Sequence, residues 1–354
     1  MFAAETYIAR RNELRRRIGT GLILLPGNAD SPFNYPNNTY AFRQDSTFLY
    51  YFGLNHPCFT GVLDADTGED EIYADDLTVD DIIWTGPQPS VGELAASVGV
   101  TRSFRTAALA ERIALAVRLG RRVHFLPPYR GETKLQMCEL LGAVPSRLHD
   151  LKSVELMMAV AEMRERKSEE EIEEIERAFH IGYEMHLTAM RLCRPGAVEC
   201  EIAGALEGVA RTMGTGVSFP SIVTQHGETL HNHCSAAALE SGRLLLVDAG
   251  GESSAYYCSD HTRTYPVNGR FTDRQRDIYN IVLAAHDRIA EIVWPGMMYH
   301  EQIHLESYRI LAEGLKGVGL IKGMAADAVA QPVRHEERHR TRLDGIFRRA
   351  VHQS

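Results

Sequence analysis

Two strand-like runs that each carry one aspartate constrain this chain more than any other feature of its sequence. Residues 244–247 form a short apolar run, followed by Asp248 and two nearby glycines, a pattern typical of a buried strand that ends in a turn. Extended character resumes over 256–267, which contains Asp260, and stops at the turn signal Asn268-Gly269. This arrangement predicts a hairpin-like return that brings the two aspartates to one place.

The aspartate pair has two interpretations on spacing alone. Two ionised carboxylates side by side are unfavourable unless a cation lies between them, which indicates a metal site. Alternatively, Asp248 and Asp260 are turn formers, because one is followed by Ala-Gly-Gly and the other by His-Thr. Other residues have to decide between these interpretations.

The composition is that of a globular protein with room for two domains. The chain has 354 residues, a formal net charge of −9 and a pI of about 5.9, which argues against nucleic acid or an anionic membrane as a principal partner. No apolar run approaches the ~20 residues of a membrane span. The six cysteines include no Cys-x-x-Cys pair, so a reducing cytoplasm is the expected location.

Strands and helices alternate over residues 1–150, which predicts a mixed α/β N-terminal domain. A polar loop is expected over 28–38. Helices are predicted over 7–18, 91–98, 107–119 and about 134–141, and strands over 21–25, 47–52, 60–63, 71–74 and 123–126.

A more helical and more charged region follows from residue 151. Ser168 and Glu171 have the spacing of a capping box, and the acidic run 169–176 is interpreted as a solvated face of the helix that they begin. That helix is predicted to bury one apolar face, consisting of Ile172, Ile175, Phe179 and Met185. Two helix pairs, interrupted by Pro-Gly at 195–196 and at 295–296, indicate either a weak internal repeat or a chance resemblance between two helix hairpins.

Three histidines precede Asp248 and could contribute to a site. His231 and His233 flank Asn232 in predicted extended structure, so they are expected to point the same way and form one wall of a pocket. His226 precedes Gly227 in a predicted turn. A structural or solvated role stays open for each histidine, although two aspartates shortly downstream favour a shared site.

The segments 230–232 (Leu-His-Asn), 247–250 (Val-Asp-Ala-Gly) and 259–267 (Ser-Asp-His-Thr-Arg-Thr-Tyr-Pro-Val) resemble the pita-bread metallopeptidases, in the branch of aminopeptidase P and prolidase. Similar residues continue over 163–168 and 271–279 and, in the first half, over 40–53 and 84–86. The resemblance implies an α/β N-terminal domain at 1–150 and an incomplete α+β pita-bread (creatinase/aminopeptidase-like) catalytic domain at 164–330, followed by a basic tail at 331–354.

The resemblance also implies the site and its chemistry. Relatives hold two divalent metal ions, usually manganese, with cobalt or zinc as alternatives, by two Asp, one His and two Glu. Asp248 and Asp260 match the two metal-binding aspartates, and His231 matches a catalytic histidine that contacts the substrate. The implied reaction is attack of metal-activated hydroxide on the carbonyl of an N-terminal residue that precedes proline. Peptides with proline at the second position would be the substrates, and a homo-oligomer is expected.

The resemblance stops near Ala330. The remaining His and both Glu would follow that point, yet residues 331–354 are rich in Arg and His and contain no His-Gly-x-x-His run. We therefore expect a truncated or frameshifted chain; a basic tail for an acidic partner, or replacement ligands such as His335 or Glu336, are the alternatives. Function has two candidates: an Xaa-Pro aminopeptidase, with prolidase as the enzymatic alternative, or a catalytically defective or non-catalytic pita-bread protein that binds peptides.

Overall fold

The computed structural model describes residues 1–322 of the chain. The chain divides into two compact units, Met1–Ile172 and Glu173–Ser354. The first unit contains helices α1 (Ala4–Ile18), α2 (Ser46–Phe52), α3 (Val79–Thr85), α4 (Val91–Ser97), α5 (Ala107–Arg118), α6 (Gly131–Leu141), α7 (Leu148–Leu151) and α8 (Val154–Glu165). Its strands are β1 (Leu22–Pro26), β2 (Pro32–Tyr35), β3 (Asn38–Thr39), β4 (Thr60–Asp64), β5 (Asp70–Tyr73), β6 (Arg102–Phe104) and β7 (Val123–His124).

A mixed five-stranded sheet in the order β6-β5-β4-β1-β7 forms the centre of the first unit. Strand β1 runs antiparallel to β4 and parallel to β7. Its residues alternate between two cores: Ile23 and Leu25 pack among residues of α1, α2, α4 and α8, whereas Leu22 and Leu24 pack among residues of α5 and α6. Helices therefore cover both faces of the sheet, as the predicted α/β class requires.

The strand predicted over 47–52 is wrong, because these residues form helix α2. The Asp45 carboxylate accepts hydrogen bonds from the backbone N–H groups of Thr47 and Phe48, each at 2.8 Å, and so caps the helix. Gly53 ends the helix in the left-handed conformation, at φ 66°. A continuous apolar run does not distinguish a buried strand from a buried helix, and here the two caps decide. The loop expected over 28–38 likewise contains the short hairpin β2–β3.

The elements of the second unit are α9 (Glu169–Leu192), α10 (Glu199–Met213), β8 (Gly216–Val217), β9 (Ile222–Thr224), β10 (Leu244–Ala249), β11 (Gly251–Glu252), β12 (His261–Pro266), α11 (Asp273–Ile292), a π-helical turn (Tyr299–Ile303) and α12 (His304–Gly317). This unit begins within helix α9 and contains a three-stranded antiparallel sheet in the order β12-β10-β9. In this sheet Leu245, Val247 and Ala249 of β10 lie in one core with residues of α9 and α10. The antiparallel pairing of β10 with β12 confirms the predicted hairpin-like return.

The predicted apolar face of α9 is only partly correct. Met185 is buried, but Ile172 and Phe179 are 46% and 47% exposed. The buried apolar side chains are those of Ala178, Ile181, Met185 and Ala189. Glu171 and Glu174 are buried as well, so the acidic run 169–176 is only partly the solvated face that was predicted. Small residues lie on the buried face because α9 closely approaches β12: a Cβ on Gly182 would lie 2.7 Å from the His261 ring and 2.8 Å from the Ser259 hydroxyl. The positions of the large apolar side chains alone therefore do not identify the face of α9 that is buried.

The predicted helix start at residue 168 is confirmed. The backbone N–H of Ser168 donates to the Glu171 carboxylate at 2.9 Å, and the N–H of Glu171 donates to the Ser168 hydroxyl at 3.3 Å. No helix within residues 1–322 combines the length and the apolar character needed to cross a membrane. The internal repeat and the boundaries 1–150 and 164–330 stay predictions, and the tail at 331–354, with the expected interruption after Ala330, lies outside the described residues.

Candidate metal centre

The backbone of β10 and β12 brings the two predicted aspartates together. Because Leu245, Val247 and Ala249 face the core, Asp248 projects from the opposite face of β10. It pairs across the sheet with Thr262 of β12, and Asp260 directly precedes that strand. Gly250 permits the close approach, since a Cβ there would lie 1.8 Å from the carbonyl oxygen of Ser259. A residue with a side chain would force the strand end away from Asp260.

The carboxyl groups of Asp248 and Asp260 lie within hydrogen-bonding range of each other. Burial raises the pKa of Asp248 above its ordinary value, and the Asp260 carboxyl raises it further, while a hydrogen bond with Thr262 and the neighbouring His231 act in the opposite direction. One Asp248 oxygen, Oδ1, is buried and has no hydrogen-bond partner within the described part of the chain. An unpartnered buried carboxylate oxygen beside a second carboxylate is the environment that a cation stabilises.

The histidine segment is less regular than its sequence suggests. His231 lies in a turn and His233 in irregular structure, so the predicted extended segment is wrong. The glycine and polar residues around them favour turns, and the Thr229 N–H donates to the His226 carbonyl at 3.1 Å. Both rings are exposed. His231 nevertheless lies near enough to Asp248 to lower the pKa of that carboxyl. His226 instead faces Glu228, with Nδ1 3.2 Å from its carboxylate.

The donor chemistry fits a divalent cation but does not complete a site within residues 1–322. Two carboxylates are hard oxygen donors of the kind that manganese and similar ions prefer. However, the described residues contain no group of three or more His, Cys, Asp or Glu side chains placed to hold a metal ion. Asp248 and Asp260 are thus a partial ligand set, and the further ligands implied by the resemblance would lie outside the described residues.

A separate cavity in the same unit does not contain the predicted site residues. It has a volume of about 550 Å³ and is lined by polar and charged side chains of α9, among them Glu173, Arg177 and His180. Asp248, Asp260 and His231 do not line it. The chemistry of the aspartate pair, rather than the volume of a cavity, therefore defines the candidate site.

Sequence reasoning missed Glu199, a residue in the first turn of α10. Its carboxylate is almost fully buried and accepts hydrogen bonds from both ends of the segment that contains His231. The only local signal was an acidic residue shortly after Pro195-Gly196, which is equally typical of an ordinary helix N-terminus.

Two family models match the two halves of the chain. The aminopeptidase P N-terminal domain matches residues 7–124, and metallopeptidase family M24 matches residues 173–343. Among curated proteins, the Xaa-Pro aminopeptidase of Escherichia coli is 31% identical over 345 residues, which cover 92% of this chain and 77% of that protein. A probable Xaa-Pro aminopeptidase of Botryotinia fuckeliana is 29% identical, and the match covers 80% of this chain and 59% of the relative.

Solved structures agree with these matches. Zinc-substituted E. coli aminopeptidase P in complex with product superimposes with a TM-score of 0.82 at 27% identity, over 93% of this chain and 77% of that one. The aminopeptidase PepP of Pseudomonas aeruginosa has the same TM-score at 24% identity, over 93% and 76% of the two chains, and shows the fold.

An aminopeptidase P-type N-terminal domain followed by a pita-bread domain defines a class of metallo-aminopeptidases. The chain belongs to metallopeptidase family M24, in its aminopeptidase P branch. Membership of this family implies divalent metal ions.

Proposed function

We propose that this chain removes an N-terminal residue that precedes proline, as a metal-dependent Xaa-Pro aminopeptidase. The observation that carries the proposal is the Asp248–Asp260 pair, with its unpartnered buried oxygen, in a chain 31% identical to an Xaa-Pro aminopeptidase. The substrates would be peptides with proline at the second position. None of the six cysteines, all within the described residues, forms a disulfide, which suits a reducing compartment and supports a cytoplasmic location. A homo-oligomer stays a prediction.

Each residue of the site has a distinct task in this proposal. Asp248 and Asp260 hold two divalent ions, with manganese as the preferred metal and cobalt or zinc as alternatives. When bound, such ions supply Lewis acidity and activate water. His231, on the exposed segment beside the carboxylates, donates a hydrogen bond to the negative charge that develops on the substrate carbonyl oxygen.

The test combines metal analysis of purified protein with hydrolysis of an Xaa-Pro peptide in added manganese. We expect two metal ions per chain and measurable turnover. Asp260→Asn should lower kcat/KM by on the order of a thousandfold or more, because it removes a charged ligand. His231→Ala should lower turnover by about a hundredfold and leave the metal content unchanged.

A matched control is Asp273→Asn, since Asp273 is a highly exposed aspartate of the same unit. This variant should behave like wild type. Normal activity of Asp260→Asn would contradict the site assignment. Weak metal binding without turnover in the wild type would instead support the alternative of a catalytically defective or non-catalytic pita-bread protein.

A further inference from the structure

The segment between β9 and β10 contains His231 but, within residues 225–243, no helix or strand. Its position therefore depends on hydrogen bonds to neighbouring elements. Several of them converge on one side chain, Glu199 of α10, which is 1% exposed. A second contact with the same helix is made by the free thiols of Cys200 and Cys234, whose sulfur atoms are 3.1 Å apart.

The two oxygens of Glu199 hold opposite ends of this segment. Oε1 accepts a hydrogen bond from the backbone N–H of Gln225 at 2.8 Å, directly after β9. Oε2 accepts from the backbone N–H of Ser235 at 3.1 Å and from its hydroxyl at 2.7 Å. Residues 226–234, which include His231, lie between these attachment points. Hydrogen bonds to a buried carboxylate are among the stronger ones in proteins, so both ends are firmly held.

A hydroxyl extends the same network to the neighbour of His231. The buried Thr224 hydroxyl donates to Glu199 Oε1 at 3.4 Å. It accepts from the side-chain amide of Asn232 at 2.9 Å and from the His226 backbone N–H at 2.9 Å. One donated and two accepted bonds use the full capacity of a hydroxyl, and the direction of each is set by the acceptor-only carboxylate.

We propose that Glu199 is a positioning residue that fixes the backbone on both sides of His231 and so aims its imidazole at the carboxylate pair. This inference rests on the proposed catalytic role of His231. A carboxylate is required because every group that hydrogen-bonds to the two side-chain oxygens of Glu199 is a donor. Glutamine has the same shape, but its NH₂ group would face an N–H or O–H donor and leave that donor unpaired.

The first experiment measures amide hydrogen exchange by mass spectrometry in metal-free protein without substrate. In Glu199→Gln, peptides that contain Gln225 and Ser235 should exchange faster by on the order of ten- to a hundredfold. Peptides from β10 should exchange as in wild type. The control is Glu201→Gln, which changes an exposed glutamate on the same helix and should leave all peptides unaffected. Unchanged exchange at 225 and 235, or equal acceleration in β10, would overturn the proposal.

The second experiment is a double-mutant cycle on Xaa-Pro peptide hydrolysis. Glu199→Gln alone should lower kcat by on the order of tenfold, with KM within about twofold of wild type, because His231 acts in the transition state. In the His231→Ala background the same substitution should have no further effect on kcat. An equal loss in both backgrounds would show a merely structural role and contradict the inference.

The two experiments separate failure of this inference from failure of the proposed function. If the wild type has no turnover, the proposed function fails. If His231→Ala retains full activity, the catalytic role proposed for His231 fails. The exchange experiment then decides by itself whether Glu199 fixes the segment.

Discussion

Each unit contains an aspartate at a β-strand, buried in the case of Asp64 and half-buried in the case of Asp248, and the two environments are opposite. Asp64, at the end of β4, is 1% exposed and accepts hydrogen bonds from Arg112 at 2.7 Å and from Arg121 at 2.6 and 3.0 Å. Burial alone would raise its pKa, but the hydrogen bonds from the two arginines outweigh burial and hold the pKa well below its usual range. Within residues 1–322, Asp248 has no arginine partner, and burial and Asp260 both raise its pKa.

The contrast shows how the surroundings of a carboxylate indicate its role. A carboxylate whose charge is compensated by the protein itself, such as Asp64, stabilises the fold and needs no ligand. A carboxylate such as Asp248, which faces a second carboxylate and keeps a buried oxygen without a hydrogen-bond partner among the described residues, is not compensated in this way. The first pattern is structural, whereas the second is typical of a binding site.

The largest expected effect is on stability in the first unit. Asp64→Asn should lower the free energy of unfolding by about 3 kcal/mol, because it leaves Arg112 and Arg121 without their shared buried partner. Urea unfolding measures the change. Asp66→Asn is the matched control, since Asp66 also pairs with Arg121 but is far more exposed, and its cost should be below about 1 kcal/mol. Equal losses for the two variants would remove the contrast between compensated and uncompensated carboxylates.

The next largest effect is the increase in the free energy of unfolding on binding of a divalent cation. Manganese at about a hundred times its dissociation constant should raise the free energy of unfolding of the wild type by about 2.7 kcal/mol. Asp248→Asn should lose most of this gain because a ligand oxygen is replaced by an amide. Asp64→Asn should keep the gain in full despite its lower starting stability. Thermal unfolding with and without manganese gives the comparison, and an undiminished gain in Asp248→Asn would exclude Asp248 as a ligand.

The smallest expected effect is a gain in stability, opposite in sign to the loss expected for Asp64→Asn. In chelator-treated protein at neutral pH, Asp248→Asn should raise the free energy of unfolding, by less than about 1 kcal/mol because solvent screens this partly exposed pair. Since the folded pKa of Asp248 is raised, its favourable contribution is present below the ordinary aspartate pKa of about 3.9 and is lost as pH rises through the folded value. The gain from Asp248→Asn should therefore be absent near pH 3.5 and grow towards pH 7.

Asp64 provides the internal check on that pH dependence. Its folded pKa is lowered, so its contribution is present above about pH 3.9 and is lost as pH falls through the folded value. The loss from Asp64→Asn should consequently diminish in acid, whereas the gain from Asp248→Asn diminishes in acid because the wild type recovers. Urea unfolding at several pH values measures both. A gain from Asp248→Asn that is independent of pH would contradict the electrostatic explanation.

Features that depend on neighbouring residues were predictable from the sequence. The β10–β12 hairpin follows from two apolar runs separated by glycines, and the start of α9 follows from the three-residue spacing of Ser168 and Glu171. The strand predicted over 47–52 failed because an apolar run satisfies either structure, and the cap from Asp45 decided for a helix. The apolar face of α9 was misplaced because close packing at Gly182 selects small residues.

The sequence by itself determined the family, the two-domain organisation and the aspartate pair, because these depend on short motifs whose residues are adjacent or nearly so. Only the tertiary structure decided which buried charges are compensated. Asp64 meets Arg112 and Arg121 from 48 and 57 residues away, and Glu199 meets Gln225 and Ser235 across 26 and 36 residues. Electrostatic energy depends on distance and burial in space, neither of which spacing along the chain records.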